Sequence, residues 1–427
     1  MAHAMALAVE TATTALAVAG MGYFLAALAA ARVYVAQRRR ENARAARRAS
    51  QNGIGLAPGV SVLKSLKGLD PGMMDAFRSH CRQSYAGEYE LLFGVSAADD
   101  PAATAVEQLQ REFPERTVRL IVCPERLGTN GKVSTLVQLE PQARFDFLLI
   151  NDSDITVGPR YLERVMAGFA LRGAGAEAPV VQAGAHYGTA KAVPFQSQSS
   201  LREVGLVTAL YRGRAHETLA SRLEALGIAT DFQAGVLLSR MVEGGLRYGL
   251  GSTLAVRRDA LKKAGGLEAL VDYLADDYEL GARVARAGYG VELCGEVVET
   301  SVPAYGWRGF QEHQLRWART VRDARPAGYA GLVVTHGLGW ALLNVAASGL
   351  SGVSLWLLAL SFFLRLGVAM VVGAGVLGDR AVLPSLWLLP VRDLVAMGVW
   401  VAGFAGNTIV WRGERMAVKG GKMYRAS

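Results

Sequence analysis

Apolar residues dominate both ends of the chain and are interleaved with polar ones in the middle. Residues 12–37, ATTALAVAGMGYFLAALAAARVYVAQ, are apolar or small almost throughout, and Arg32 is their one charge. Such a stretch is long enough to cross a hydrocarbon core about 30 Å thick. It exceeds a signal-peptide core and no Lys or Arg precedes it, so we expect a retained anchor over residues 1–37. From 331 to 411 Leu, Val, Ala and Gly prevail again, with candidate segments at 331–350, 351–376 and 383–411. One of these is expected to be interfacial or re-entrant. The first is the weakest span, because it is rich in Gly and holds His336.

Between these ends the pattern is that of a globular domain. Residues 60–63, 88–95, 117–122 and 145–150 read as short strands, and Val106, Leu109 and Phe113 repeat at helical spacing. Strands alternating with helical stretches predict an α/β fold, a mostly parallel sheet covered by helices. The chain has no internal repeat, no GxGxxG and no Walker-type phosphate loop, so a bound nucleotide needs something other than a glycine cradle. The expected organisation is an anchor (1–37), a basic juxtamembrane linker (38–57) and a globular domain (58–330) with an interfacial helix near 307–325. Membrane or interfacial helices (331–411) and a basic tail (412–427) follow.

Charge adds an orientation. The run RRRENARAARR at 38–48 follows the first apolar segment directly, within a chain of net charge +9. The positive-inside rule places the N-terminus outside and the domain in the cytosol. A run in this position meets an anionic membrane surface, and we expect no nucleic-acid partner. Three crossings after residue 330 would carry the basic tail outside, which the same rule disfavours; the parity stays open. Three widely spaced cysteines, Cys81, Cys123 and Cys294, fit a reduced compartment and no metal cluster. Nothing in the sequence speaks to oligomeric state.

Ligands of open parallel sheets gather beyond the carboxyl ends of the strands. Two predicted strands end there in acids, Asp99 and Asp100 after one, Asp152 and Asp154 after the other. An Asp-x-Asp turn can aim two carboxylates at Mg²⁺ or Mn²⁺, or it can be a solvated turn capping the next segment. A second cluster, Asp276, Asp277 and Glu279, can supply a general base or can cap the helix that follows. Arg316 and Arg319 flank Trp317 in HQLRWART; they can grip phosphate, or snorkel from an interfacial helix.

In order along the chain, VSVLKSLKG (60–68), DDPA (99–102), GTNGKVSTL (128–136), NDSDI (151–155), GLVTALYRG (205–213), GSTLAVRRDAL (251–261), LADDYELG (274–281) and HQLRWART (313–320) resemble one family. It is that of the membrane-bound, inverting ceramide glucosyltransferases and their bacterial hopanoid-associated relatives. The resemblance implies a GT-A domain in a bacterial-type inner membrane, with a UDP-sugar as donor and a membrane lipid as acceptor. It implies that Asp99 or Asp100 holds the uridine end, that Lys132 lies near the nucleotide, and that Asp152 and Asp154 bind the divalent cation. Asp277 matches the general base, with Asp276 where relatives often carry Glu. Arg316 and Trp317 match the pair that holds the diphosphate and shapes the acceptor site. His313 stands where the family usually has Gln or Arg, and Ser65 where it often has proline. Glucose and a ceramide-like acceptor are favoured over N-acetylglucosamine and a hopanoid polyol. A processive polysaccharide synthase would need more membrane helices, and an inactive scaffold would not need every acid intact.

Overall fold

A computed structural model of the chain describes residues 2–52, 57–170, 202–411 and 413–425. Helix α1 (Ala2–Asn52) runs without a break through the apolar segment and the basic run after it. Residues 38–52, expected as a linker, are thus helical, as their Ala- and Arg-rich composition favours.

The globular part alternates strand and helix: β1 (Val60–Ser65), α2 (Met73–Cys81), β2 (Tyr89–Val95), α3 (Pro101–Glu112), β3 (Thr117–Val122), α4 (Gly131–Leu139), β4 (Phe147–Ile150) and α5 (Tyr161–Ala170). After the return at 202 come β5 (Val204–Ala215), α6 (Leu219–Gly227), α7 (Gln233–Val242), β6 (Leu254–Arg257), α8 (Arg258–Lys263), α9 (Asp276–Arg286) and β7 (Gly290–Val302). The seven strands form one sheet in the order β3-β2-β1-β4-β6-β5-β7. All run parallel except β6, which pairs antiparallel with both neighbours. This is the mostly parallel α/β sheet that the resemblance to GT-A enzymes implies. Phe93 of β2 packs on Phe77 of α2, with ring centroids 4.6 Å apart. Its neighbour Gly94 faces Thr135 and Leu139 of α4. Successive strand residues point to opposite sides, so helices cover both faces and the strands read as nearly continuous apolar runs.

Because β6 is antiparallel, Leu254 at its start lies beside Ile150 at the end of β4. The residues that enter β6 therefore share a rim with those that leave β1, β2, β4, β5 and β7.

After β7 come α10 (Trp307–Ala324), α11 (Pro326–Gly331), α12 (Gly337–Ala347), α13 (Gly352–Val368) and α14 (Leu389–Gly403). Among the described residues three helices are long and apolar enough to cross a membrane, Ala4–Ala43, Gly352–Val376 and Arg380–Gly403. A bent pair, Pro326–Thr335 and Gly337–Ala347 at 58°, makes a fourth if counted as one span. The chain is membrane-associated.

The C-terminal tail is ordered. Strands β8 (Thr408–Trp411), β9 (Glu414–Lys419) and β10 (Lys422–Arg425) form an antiparallel sheet. Gly420 and Gly421, with φ 60° and 76°, make its tight turn, a conformation open to glycine. Ile409, Met416, Val418 and Met423 close over Leu274, just ahead of α9. Backbone bonds from Leu274 to Gly421 (3.0 Å) and from Met423 to Asp272 (2.8 Å) fasten the contact.

Candidate active site

The rim joins a lysine to acids from two distant parts of the chain. Asn130 caps α4 by accepting from the Val133 N–H (3.2 Å), and its amide donates to the Tyr273 carbonyl (2.8 Å). Thr129 donates to Asp272 from its N–H (3.0 Å) and hydroxyl (3.1 Å). The loop before α4 is thus laced to the loop before α9, which fixes Lys132 over the start of α9. Its Nζ lies 2.9 Å from Asp152 and 3.1 Å from Asp276. Burial works against the lysine's charge, but Asp152 and Asp276 outweigh it and hold its pKa above the usual lysine range.

The Asp-x-Asp turn is built from below. Asn151, buried at the end of β4, meets His80 Nε2 at 3.0 Å and the Tyr161 hydroxyl at 3.4 Å. Ser153 donates to Asp70 at 2.5 Å. Lys64 is fully buried on β1 and donates to the Asp152 carbonyl at 2.8 Å. Burial pushes its pKa down to about 7, against the pull of Asp154 and Asp152. Asp154 accepts from the Thr300 hydroxyl (2.6 Å) and the Ser301 N–H (3.0 Å). Burial, then Asp152, raises its pKa.

Asp277 opens α9 beside Asp276 and accepts from the Tyr278 N–H at 2.8 Å. Burial, then Asp276, pushes its pKa up to about 6, with Lys132 pulling the other way. Gly251 lies alongside; a side chain there would begin 3.0 Å from the Asp277 carboxylate. Glu279 turns aside to Arg283 (3.2 Å). Tyr211, buried on β5, has its pKa raised well above the ordinary value by burial, then by Asp277, Glu224, Asp152 and Asp154. Asp277, Asp152 and Asp154 thus all act on one hydroxyl.

From Tyr211 aromatic rings lead to α10: Phe232 at 5.6 Å, then Trp317 at 6.2 Å, then His313 at 5.3 Å. His313 Nδ1 lies 3.0 Å from Glu224, which also accepts from Gln314 (3.0 Å) and Tyr305. Burial pushes Glu224 up, but His313, Tyr305 and Gln314 prevail and hold its pKa low. Arg316 is half-buried on the same helix and its charge acts on Tyr305. Arg319 bonds the Ala405 carbonyl (2.9 Å) and so holds the tail.

The two acids after β2 differ. Asp100 caps α3, accepting from the N–H groups of Ala102 and Gly68, both at 2.9 Å. Asp99 is exposed. Neither takes part in the ion pairs that Lys132 makes with Asp152 and Asp276.

Could the turn hold a divalent cation? Among the described residues no three His, Cys, Asp or Glu side chains converge as a full ligand set. Mg²⁺ and Mn²⁺ often take one or two carboxylates and fill the rest with water and phosphate oxygens. Asp152, with its side chain 47% exposed and on the same turn as Asp154, suits that partial set.

Lys64, Asn151, Tyr211, Glu224 and Thr300 did not emerge from the sequence as site residues. Asn151 and Tyr211 lay within the motifs that carry the resemblance, and Lys64 had a signal of its own, a lysine inside the apolar run VSVLKS. The three cysteines are free and buried.

The sequence pattern of Glycosyl transferase family 21 matches residues 12–192 and 195–424. Ceramide glucosyltransferase 3 of Caenorhabditis elegans is 23% identical over 265 residues, 61% of this chain and 50% of that protein. Ceramide glucosyltransferase 1 of the same organism is 21% identical over 384 residues, 87% of this chain and 74% of that protein. The chain thus spans about half of one relative and three quarters of the other. Among solved structures, the mannosyltransferase PcManGT from Pyrobaculum calidifontis in complex with GDP-Man and Mn²⁺ aligns over 91% of this chain and 97% of its own, with 16% identity and TM-score 0.42. With the family pattern covering nearly the whole sequence, the chain belongs to glycosyl transferase family 21.

Proposed function

We propose that this protein is a membrane-bound, inverting glycosyltransferase that moves glucose from a UDP-sugar to the hydroxyl of a ceramide-like membrane lipid. The observation that carries this reading is the pairing of Lys132 with both Asp152 and Asp276. It joins the turn suited to a nucleotide-bound cation to the helix start that bears Asp277.

Asp277 takes the proton of the lipid hydroxyl as its oxygen attacks the anomeric carbon. The bond from that carbon to the UDP oxygen breaks on the opposite face, so an α-linked donor gives a β-linked product. A pKa near 6 leaves Asp277 largely ionised at neutral pH yet basic enough to accept the proton. Asp152 and Asp154 would hold Mg²⁺ or Mn²⁺, which supplies positive charge to the departing diphosphate. Lys132 beside the turn, and Arg316 in the role the resemblance implies, would add positive charge for the departing diphosphate, while Asp99 faces solvent where it can meet the uridine end. Trp317 and Phe232 offer an apolar wall for the acceptor. The basic residues after the anchor support a catalytic domain on the cytosolic side of the membrane.

Mass spectrometry of lipids from host cells producing the protein, set against cells producing Asp277→Asn, tests the reading. A hexosyl-ceramide-type lipid found only with the unaltered protein is expected. An N-acetylhexosamine on a hopanoid polyol would overturn the donor and acceptor but keep the reaction. No new glycolipid, in cells that contain both acceptors, would overturn the reaction itself.

A further inference from the structure

We propose that Arg380–Gly403, although long and apolar enough to cross a bilayer, lies flat in the membrane–water boundary on the catalytic side. The chain then crosses the bilayer an even number of times between α10 and β8.

Both ends of the segment are tied to the catalytic domain. At the near end Arg212 of β5 donates to the carbonyls of Leu377 (3.2 Å) and Gly378 (3.0 Å). At the far end Arg322 of α10 donates to the Gly403 (2.5 Å) and Gly406 (3.0 Å) carbonyls and to Asn407 Oδ1 (2.6 Å). Between them, Arg392 pairs with Asp231 at 3.3 Å and lies against Gly227 at the end of α6. A transbilayer helix would carry one of its ends about 30 Å from the domain. This one touches the domain along its length.

The outward face carries Leu383, Trp387, Val391, Leu394 and Val401, exposed by 46, 66, 44, 47 and 56%. The first four recur at three- and four-residue intervals and Val401 follows two turns on, so they form one stripe. Arg392 and Asp393 point into the protein and apolar groups point out, the reverse of a helix that faces water. The occupant is the bilayer, since α13, held to this segment by the Arg365–Asp393 pair, likewise exposes Trp356, Leu360 and Phe363 by 78, 50 and 66%.

The crossings belong to the bent pair that ends in α12 and to α13. Asn344 donates to the Glu10 carbonyl (3.1 Å) and the Thr14 hydroxyl (2.7 Å), while Gly337 lies backbone to backbone against Gly20. So α12 runs antiparallel to α1, away from the domain. α13 returns: a side chain at Gly367 would meet Leu28 at 3.8 Å, and Arg365 pairs with Asp231. The inference rests on membrane association alone and is independent of the proposed donor and acceptor.

Single cysteines at Gly352, Arg380 and Lys419 of the full chain test it, because all three positions are exposed and the native cysteines are buried. A membrane-impermeant maleimide should label Gly352→Cys in intact spheroplasts. Arg380→Cys and Lys419→Cys should label only after permeabilisation. Ala381→Cys, also exposed, reads the same end should Arg380→Cys fail to accumulate. Labelling of the 380 end and of 419 from opposite sides overturns the proposal. So does a 380 end that stays unlabelled after permeabilisation, since that would bury it in the hydrocarbon core.

Discussion

Lys132 Nζ and the Asp152 carboxylate lie 2.9 Å apart, so the helix after β3 and the turn after β4 meet at one charge. The same ammonium reaches Asp276 at 3.1 Å and is a cation that pulls the Asp277 pKa down. In Lys132→Met this restraint is lost. We expect transfer to fall at least tenfold, and the acidic limb of the pH–rate profile to move to higher pH. An unmoved limb would show that Lys132 does not act on the base.

As the proposed base, Asp277 should set that limb. Its pKa of about 6 lies above the ordinary carboxyl value, so the folded protein holds this proton more tightly than the unfolded chain. Its contribution to stability is therefore full below about pH 4 and is lost as pH rises through about 6. Activity runs the other way, rising as the carboxyl ionises. Asp277→Asn should keep donor affinity and lose transfer by about 10²–10⁴-fold. Donor binding and product formation, measured on the same sample, check both halves.

Donor affinity should depend on a divalent cation through the turn at Asp152. We expect EDTA to weaken UDP-sugar binding to the unaltered protein, with Mg²⁺ or Mn²⁺ restoring it. Asp152→Ala should bind weakly with or without the cation. Calorimetric titration of UDP reads each case, and tight binding in EDTA would remove the metal from the account.

The docked tail braces the segment that leads to the acids. Met423 is 1% exposed in the small cluster around Leu274. Met423→Ala should destabilise this contact by about 2 kcal/mol. The expected result is a lower kcat with little change in the KM for donor, because the start of α9 loosens while the turn at Asp152 stays in place. Equal loss in both would mean that the tail supports the whole domain.

Much of this was legible in residue patterns. The strand at 117–122 coincides with β3, and those at 88–95 and 145–150 begin only one or two residues early, because buried parallel strands are short apolar runs between polar turns. The acids were legible because strand ends that stop on paired carboxylates are unusual. Lys64 was not singled out, since its role depends on a carbonyl 88 positions away. Glu224 carries no local mark either; only the fold brings it to His313. The tail was read for its charge, although Met416, Val418 and the Gly420–Gly421 pair already spell a hairpin. The last apolar segment has the length of a span, and its ties to the domain through Arg212, Arg392 and Arg322 appear only in the tertiary structure.

The most direct test is the anomeric configuration of the product. The full-length protein in lipid bicelles, given α-linked UDP-glucose, a divalent cation and a ceramide, should yield a β-linked glucosyl lipid and free UDP by NMR. An α-linked product, or UDP released without glycolipid, would contradict single displacement driven by Asp277.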